Sequence, residues 1–162
     1  MQGRYNPGET LSIRAVASEL GVSPLPVRDA FGRLVVERAL EMPHARSFRV
    51  VKLSLQEFRD VCDLRTLIEG YAIERSASHV TKADLQELRA LDVKIMVAID
   101  KGDLREAFEL NQSFMFYLYT MGGMNSEVLP LIELLWLRSG PLVSLRIQRI
   151  RQARMIEDVR LT

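Results

Sequence analysis

The chain has almost nothing from which to build a thiol framework: its 162 residues include one cysteine, Cys62, which excludes a disulfide scaffold. Histidine is nearly as scarce, at two residues, His44 and His79, so a histidine-based metal centre or general base has little to draw on. No apolar run approaches the ~20 residues of a membrane-crossing helix, and no signal-peptide pattern opens the chain. Charge of one sign is not in excess either, with 22 Lys and Arg against 21 Asp and Glu and a net charge of +1.

Catalytic chemistry has few candidates in this inventory. Cys62 and His79 fall on one expected helix about 25 Å apart at 1.5 Å per residue, too far to act as nucleophile and base within a chain. Cys62 reads better as a small core residue. The pairs Asp60/Asp63 and Asp100/Asp103 have the spacing of solvated helix faces, and Gly122-Gly123 lacks the lysine and preceding strand of a phosphate loop. We expect no enzyme.

The distribution of charge says more than its total. Residues 1–52 carry eight basic and five acidic side chains, residues 53–137 eight and fourteen, and residues 138–162 six and two. A basic head on an acidic body suits a module that touches nucleic acid at one end. Within the head, Leu11 to Leu34 reads as two short amphipathic helices joined at Gly21, the pattern of a helix-turn-helix. Ile13, Val16, Ala17 and Leu20 supply one apolar face, and Val27, Ala30, Phe31 and Leu34 a second, at helical spacing. Gly21 lets the chain turn with φ > 0. Ser23 is placed to cap the second helix and Pro24 to open it; Pro26 still lies in the first turn, where a missing N–H loses no intrahelical bond. Ser23, Arg28 and Arg33 lie off the apolar face and Arg14 projects from the preceding helix, side chains that suit phosphates and guanine edges. The bland alternative is a helical corner with solvated arginines, but cap, turn, paired faces and basic outer face all agree on the sharper reading.

Ala39–Met42 and Phe48–Val51 read as short strands around Pro43–Ser47, a hairpin placed as a wing. The run Tyr5-Asn6-Pro7-Gly8-Glu9-Thr10-Leu11, the stretch from Gly21 to Phe31, and Arg49-Val50 together resemble the winged helix of the GntR family of bacterial transcription regulators. The resemblance implies that Arg14, Arg28 and the wing residues His44 and Arg46 contact operator DNA, with Ser23 on a phosphate. It also implies a helix ahead of Tyr5. Because the chain starts at Met1-Gln2-Gly3-Arg4, we expect that helix to be missing and the faces of Leu20, Phe31 and Leu34 to lack part of their cover.

From Ser54 onward helical periodicity runs almost unbroken, with pauses at Pro130 and Pro141. Ser54-Leu55-Gln56-Glu57 has the form of a capping box and opens a helix reaching toward His79. Thr81-Lys82-Ala83-Asp84 opens a second, which Gly102 stops. A third runs from about Asp103 to Met121, and a fourth begins near Ser126. With Arg65 and Glu69, Phe114, and Leu137 to Leu142, this part resembles the all-helical effector-binding and dimerisation (FCD) domain of the FadR-type branch of the same family. The resemblance implies a helical bundle, a homodimer and a small effector, often an organic acid.

In many members the third helix of that domain supplies an Asp or Asn and, four residues later, a His to a divalent ion, with two more histidines further on. Asn111 and Met115 stand in the first two places, no histidine follows His79, and we expect no metal and no cofactor. Asn111 and Met115 read either as ordinary packing or as effector contacts. Arg65 has two candidate partners, an effector carboxylate and Glu69 at i+4. The tail arginines Arg146, Arg149, Arg151, Arg154 and Arg160 read more readily as a solvated helix face than as a further hold on DNA, and are left unassigned.

The expectation is therefore a mainly α chain: a winged helix-turn-helix over 1–52, then an all-α effector and dimerisation domain over 53–162. We expect a cytoplasmic homodimer reading palindromic double-stranded DNA, with no membrane partner, most readily a repressor. The rival reading is an oligomerisation or interaction module whose shortened ends have cost it operator binding.

Overall fold

The computed structural model describes residues 5–44, 47–121 and 127–142. It is mainly helical. In chain order the elements are β1 (Thr10–Leu11), α1 (Ile13–Leu20), α2 (Pro24–Val36), β2 (Leu40–His44), β3 (Ser47–Val50), α3 (Leu55–Ala77), α4 (Lys82–Asp100) and α5 (Leu104–Thr120), followed by helical residues 129–142, here α6. Two compact units divide the chain: Cys62–Trp136 forms one, and the segment up to Val61, with 137–142, falls in the other.

In the head, Ser12 caps α1 by accepting the Ala15 N–H on its Oγ at 3.3 Å. Gly21 ends the helix in the left-handed region at φ 67°, a conformation an L side chain enters only at a steric cost. The three strands form an antiparallel sheet in the order β1-β3-β2, with Leu11 opposite Phe48 and Leu40 opposite Val50. The register shifts between Glu41 and His44. The sequence signals the two wing strands but not β1, whose two residues are too short a run to show alternation.

Leu11, Ala17, Val27, Phe31, Leu40, Phe48 and Val50 close into one core, with the Phe31 and Phe48 rings edge-to-face at 5.1 Å. Leu20 is exposed, in line with the expected lack of cover, whereas Phe31, expected to share that lack, is buried; Ala30, placed on a buried face, is exposed. The strip of α1 that closes is centred on Ala17, a small residue that admits close packing, and Leu20 sits beyond it on the last turn. On α2 the closed side follows Val27 and Phe31, and Ala30 lies 60° around the helix on the far side of Val27.

In the body, α3 starts at a capping box: Ser54 Oγ accepts the Glu57 N–H at 3.2 Å and Glu57 Oε2 accepts the Ser54 N–H at 2.7 Å. Thr81 and Asp84 make the same reciprocal pair at the start of α4, and Asp103 caps α5 by accepting the Glu106 N–H. The α4 to α5 turn passes through Gly102 at φ 73°. These starts lie where the sequence puts them. Pro141 does not interrupt α6, against expectation: a proline forfeits one i to i−4 bond and strains the turn, but does not force the chain to stop.

Candidate functional site

α2 begins with Ser23 as N-cap in extended conformation (φ −71°, ψ 159°), yet its side chain makes no capping hydrogen bond. Local sequence removes one of the two usual donors. An N-cap oxygen takes the N–H two or three residues on, and the third residue here is Pro26, which has none. The Ser23 hydroxyl is thus left exposed at the helix start.

Ser23 lines a groove of about 630 Å³ with Ile13 and Arg14 of α1, Pro24, Leu25 and Arg28 of α2, and Met42 and Phe48 of the wing. Three residues singled out from the sequence, Arg14, Ser23 and Arg28, therefore meet around one opening between the second helix and the wing. Both arginines are exposed. The structure does not bring Arg33 to this groove: it is exposed in the last turn of α2, 140° around the helix from Arg28 at 100° per residue. His44 is exposed at the end of β2, opposite Ser47. Arg46 and the arginines from Arg146 onward lie outside the described residues. Arg49, across the wing from Glu41, is held by that carboxylate at 2.8 Å.

The body contains a cluster that the sequence only half discloses. Glu69 Oε1 accepts Arg65 Nε at 2.6 Å and Trp136 Nε1 at 3.0 Å, while Oε2 accepts the Tyr119 hydroxyl at 2.6 Å. The Arg65 guanidinium also lies over the Trp136 ring, 4.4 Å from its centroid, a cation–π contact. Phe116 meets Tyr119 and Trp136 edge-to-face at 5.6 and 5.5 Å. The Arg65 and Glu69 side chains are only 20% and 12% exposed, so the pair is screened far less than a surface ion pair. Burial, followed by the bond to Glu69, raises the Tyr119 phenol well above its usual pKa. Of the two partners considered for Arg65, the structure shows Glu69. The i to i+4 spacing announced that pair; nothing local announces Tyr119 or Trp136.

Asn111 is exposed and Met115 half-buried on α5. The Asn111 amide oxygen is a possible hard ligand, but the Met115 thioether is a soft one unsuited to a hard divalent ion, and among the described residues no group of three or more His, Cys, Asp or Glu gathers that could hold a metal. No helix among them is long and apolar enough to cross a membrane.

α3 and α6 also share an apolar groove of about 420 Å³, lined by Leu64, Leu67, Ile68, Tyr71, Leu131, Leu134 and Leu135. Leu67 is 73% exposed on its rim.

A winged helix-turn-helix joined to a helical domain is an architecture of DNA-binding regulators. Comparison with known proteins gives the family. Residues 1–50 match "Bacterial regulatory proteins, gntR family" and residues 60–159 match "FCD domain". The HTH-type transcriptional regulator McbR of Escherichia coli K12 is 31% identical over 157 residues, 97% of this chain and 71% of McbR. The HTH-type transcriptional repressor RspR of the same strain is 31% identical over 108 residues, 67% of this chain and 47% of RspR. The solved structure of E. coli McbR/YncC superposes with a TM-score of 0.87 at 31% identity, covering 96% of this chain and 73% of that one. The chain belongs to the GntR family of bacterial transcription regulators, in its FadR-type branch with an FCD domain.

Proposed function

We propose that this protein is a homodimeric repressor that reads a palindromic operator through its head, residues 1–52, and whose affinity is set by a small effector held in residues 53–162. The observation that carries the reading is the convergence of Arg14, Ser23 and Arg28 on one groove beside the wing. Phosphates supply affinity, and the arginines and wing residues His44 and Arg46 supply register and specificity. Arg33, away from the groove, serves as a backbone contact. The apolar face of α3 and α6 supports a homodimer, because a two-fold arrangement of heads requires a self-complementary surface.

The effector works by binding one arrangement of the two heads better than the other, which shifts operator affinity by that difference. An organic acid that uses Arg65 has to exchange with the Glu69 carboxylate, and Asn111 and Met115 are the further contacts. The working compartment is the cytoplasm, where the DNA is.

Selection of binding sites from random duplex DNA at physiological salt tests this directly. An enriched inverted repeat is the expected result. Weak, salt-dependent retention without enrichment overturns the reading in favour of an oligomerisation or interaction module.

A further inference from the structure

We infer that Leu25, with Pro24 beside it, is a specificity residue that reads the 5-methyl group of a thymine in the operator half-site. The inference rests on the DNA-reading role proposed above and extends it to a side chain with no charge and no hydrogen-bonding group.

Leu25 is the second residue of α2 and is 66% exposed. Single exposed leucines are common and call for no account, but this one has an unusual setting. It lines the same groove as Arg14, Ser23 and Arg28, whose remaining lining, Ile13, Pro24, Phe48 and the exposed Met42, is apolar, so that two exposed arginines and a hydroxyl flank a mainly apolar opening. The two exposed arginines beside this lining favour a polyanion that also offers an apolar group. On the floor of the major groove, the group of B-DNA that rewards a purely apolar side chain is the thymine methyl.

Geometry ties this contact to its neighbour. Leu25 and Arg28 stand three residues apart on one helix face, 4.5 Å along the axis at 1.5 Å per residue, or about one base step of 3.4 Å. A guanine read by Arg28 and a thymine read by Leu25 therefore lie in adjacent or next-adjacent pairs. Pro24 and Pro26 fix φ on both sides of Leu25, so the side chain is presented with little backbone freedom left to lose on binding.

The test uses the whole chain and a selected operator. Each thymine of the half-site is replaced in turn by deoxyuridine, which removes the methyl and leaves every hydrogen-bonding group in place. At one thymine within two pairs of the guanine lost to Arg28→Ala, the expected result is about a four-fold weakening per half-site, the size of one buried methyl. The same replacement leaves Leu25→Ala unaffected. Leu25 is exposed, so that variant folds, and its melting curve checks this. Unchanged affinity at every deoxyuridine position, on an operator that is bound specifically, overturns the role of Leu25 alone. Failure to enrich any operator removes the DNA-reading role and this inference with it.

Discussion

Tyr119 donates its phenol to Glu69 at 2.6 Å across 50 residues of sequence, tying α5 to α3 through a carboxylate that also holds Arg65 and, from α6, Trp136. One side chain thus joins three helices. Hydrogen bonds to a charged group are worth about 1.5–3 kcal/mol each, and an amide in its place removes the charge and sets an NH2 donor where an acceptor stood. Glu69→Gln is expected to lower stability by about 2–3 kcal/mol, roughly 4–12 °C in Tm for a chain of this size, and Tyr119→Phe by about half as much. Thermal melts followed by circular dichroism check both; an unchanged Tm in Glu69→Gln would mean the cluster fills space without bracing it.

Arg28 lines the groove and Arg33 does not. Arg28→Ala is expected to weaken operator binding by about 1–3 kcal/mol and relax specificity at one base pair, while Arg33→Ala weakens operator and random DNA alike. Titrations of both variants on both duplexes separate the roles. Equal losses on the two duplexes for Arg28→Ala would remove it from base reading.

Leu67 stands on the rim of the α3 and α6 groove. Placing a charge there, as Leu67→Glu, is expected to leave the fold intact and to split the proposed dimer into monomers, since an unpaired charge in an apolar interface is strongly disfavoured. Sedimentation velocity reads the outcome, and monomers are expected to lose most of their operator affinity with the second half-site contact. A dimer that survives Leu67→Glu places the contact between subunits elsewhere.

Asp84 is held below the usual carboxylate pKa by the Thr81 side chain, then by the Tyr117 hydroxyl, which donates to it at 2.7 Å. A carboxyl lowered in the folded state adds stability above its unfolded pKa of about 4, and that stability is lost as pH falls through the lower folded value. Glu57 behaves likewise through Ser54. Asp84→Asn is therefore expected to be less stable than wild type at pH 7 and to lose less on acidification from about pH 5 to pH 2. Parallel acid slopes for the two proteins would show that Asp84 is not the titrating group.

Every helix start just described was written in adjacent residues, which is why Ser54, Thr81 and Asp103 disclosed them. The arginines around the reading groove were equally open to inspection, because helical period alone puts Arg14 and Arg28 off the apolar faces. What stayed hidden depends on distance in the chain. Glu69 could be paired with Arg65 from spacing, but Tyr119 and Trp136 join it only through packing of α5 and α6. Phe31 shows the same limit from the other side: its face was expected to lack part of its cover, and the Phe48 ring of the wing closes against it. Ser23 was rightly placed as the cap residue, and its lack of a capping bond goes with Pro26, which removes the N–H three residues on.

The locally built caps also set an order of events. Ser54 with Glu57, Thr81 with Asp84, and Asp103 with the Glu106 amide each close over three residues, so α3, α4 and α5 can begin in the unfolded chain without any tertiary partner, on the sub-microsecond to microsecond scale of helix formation. The bond from Tyr119 to Glu69 must first close a long loop. The starts of these helices thus need only neighbouring residues, while the bonds that Glu69 accepts from Tyr119 and Trp136 wait for the helices to meet.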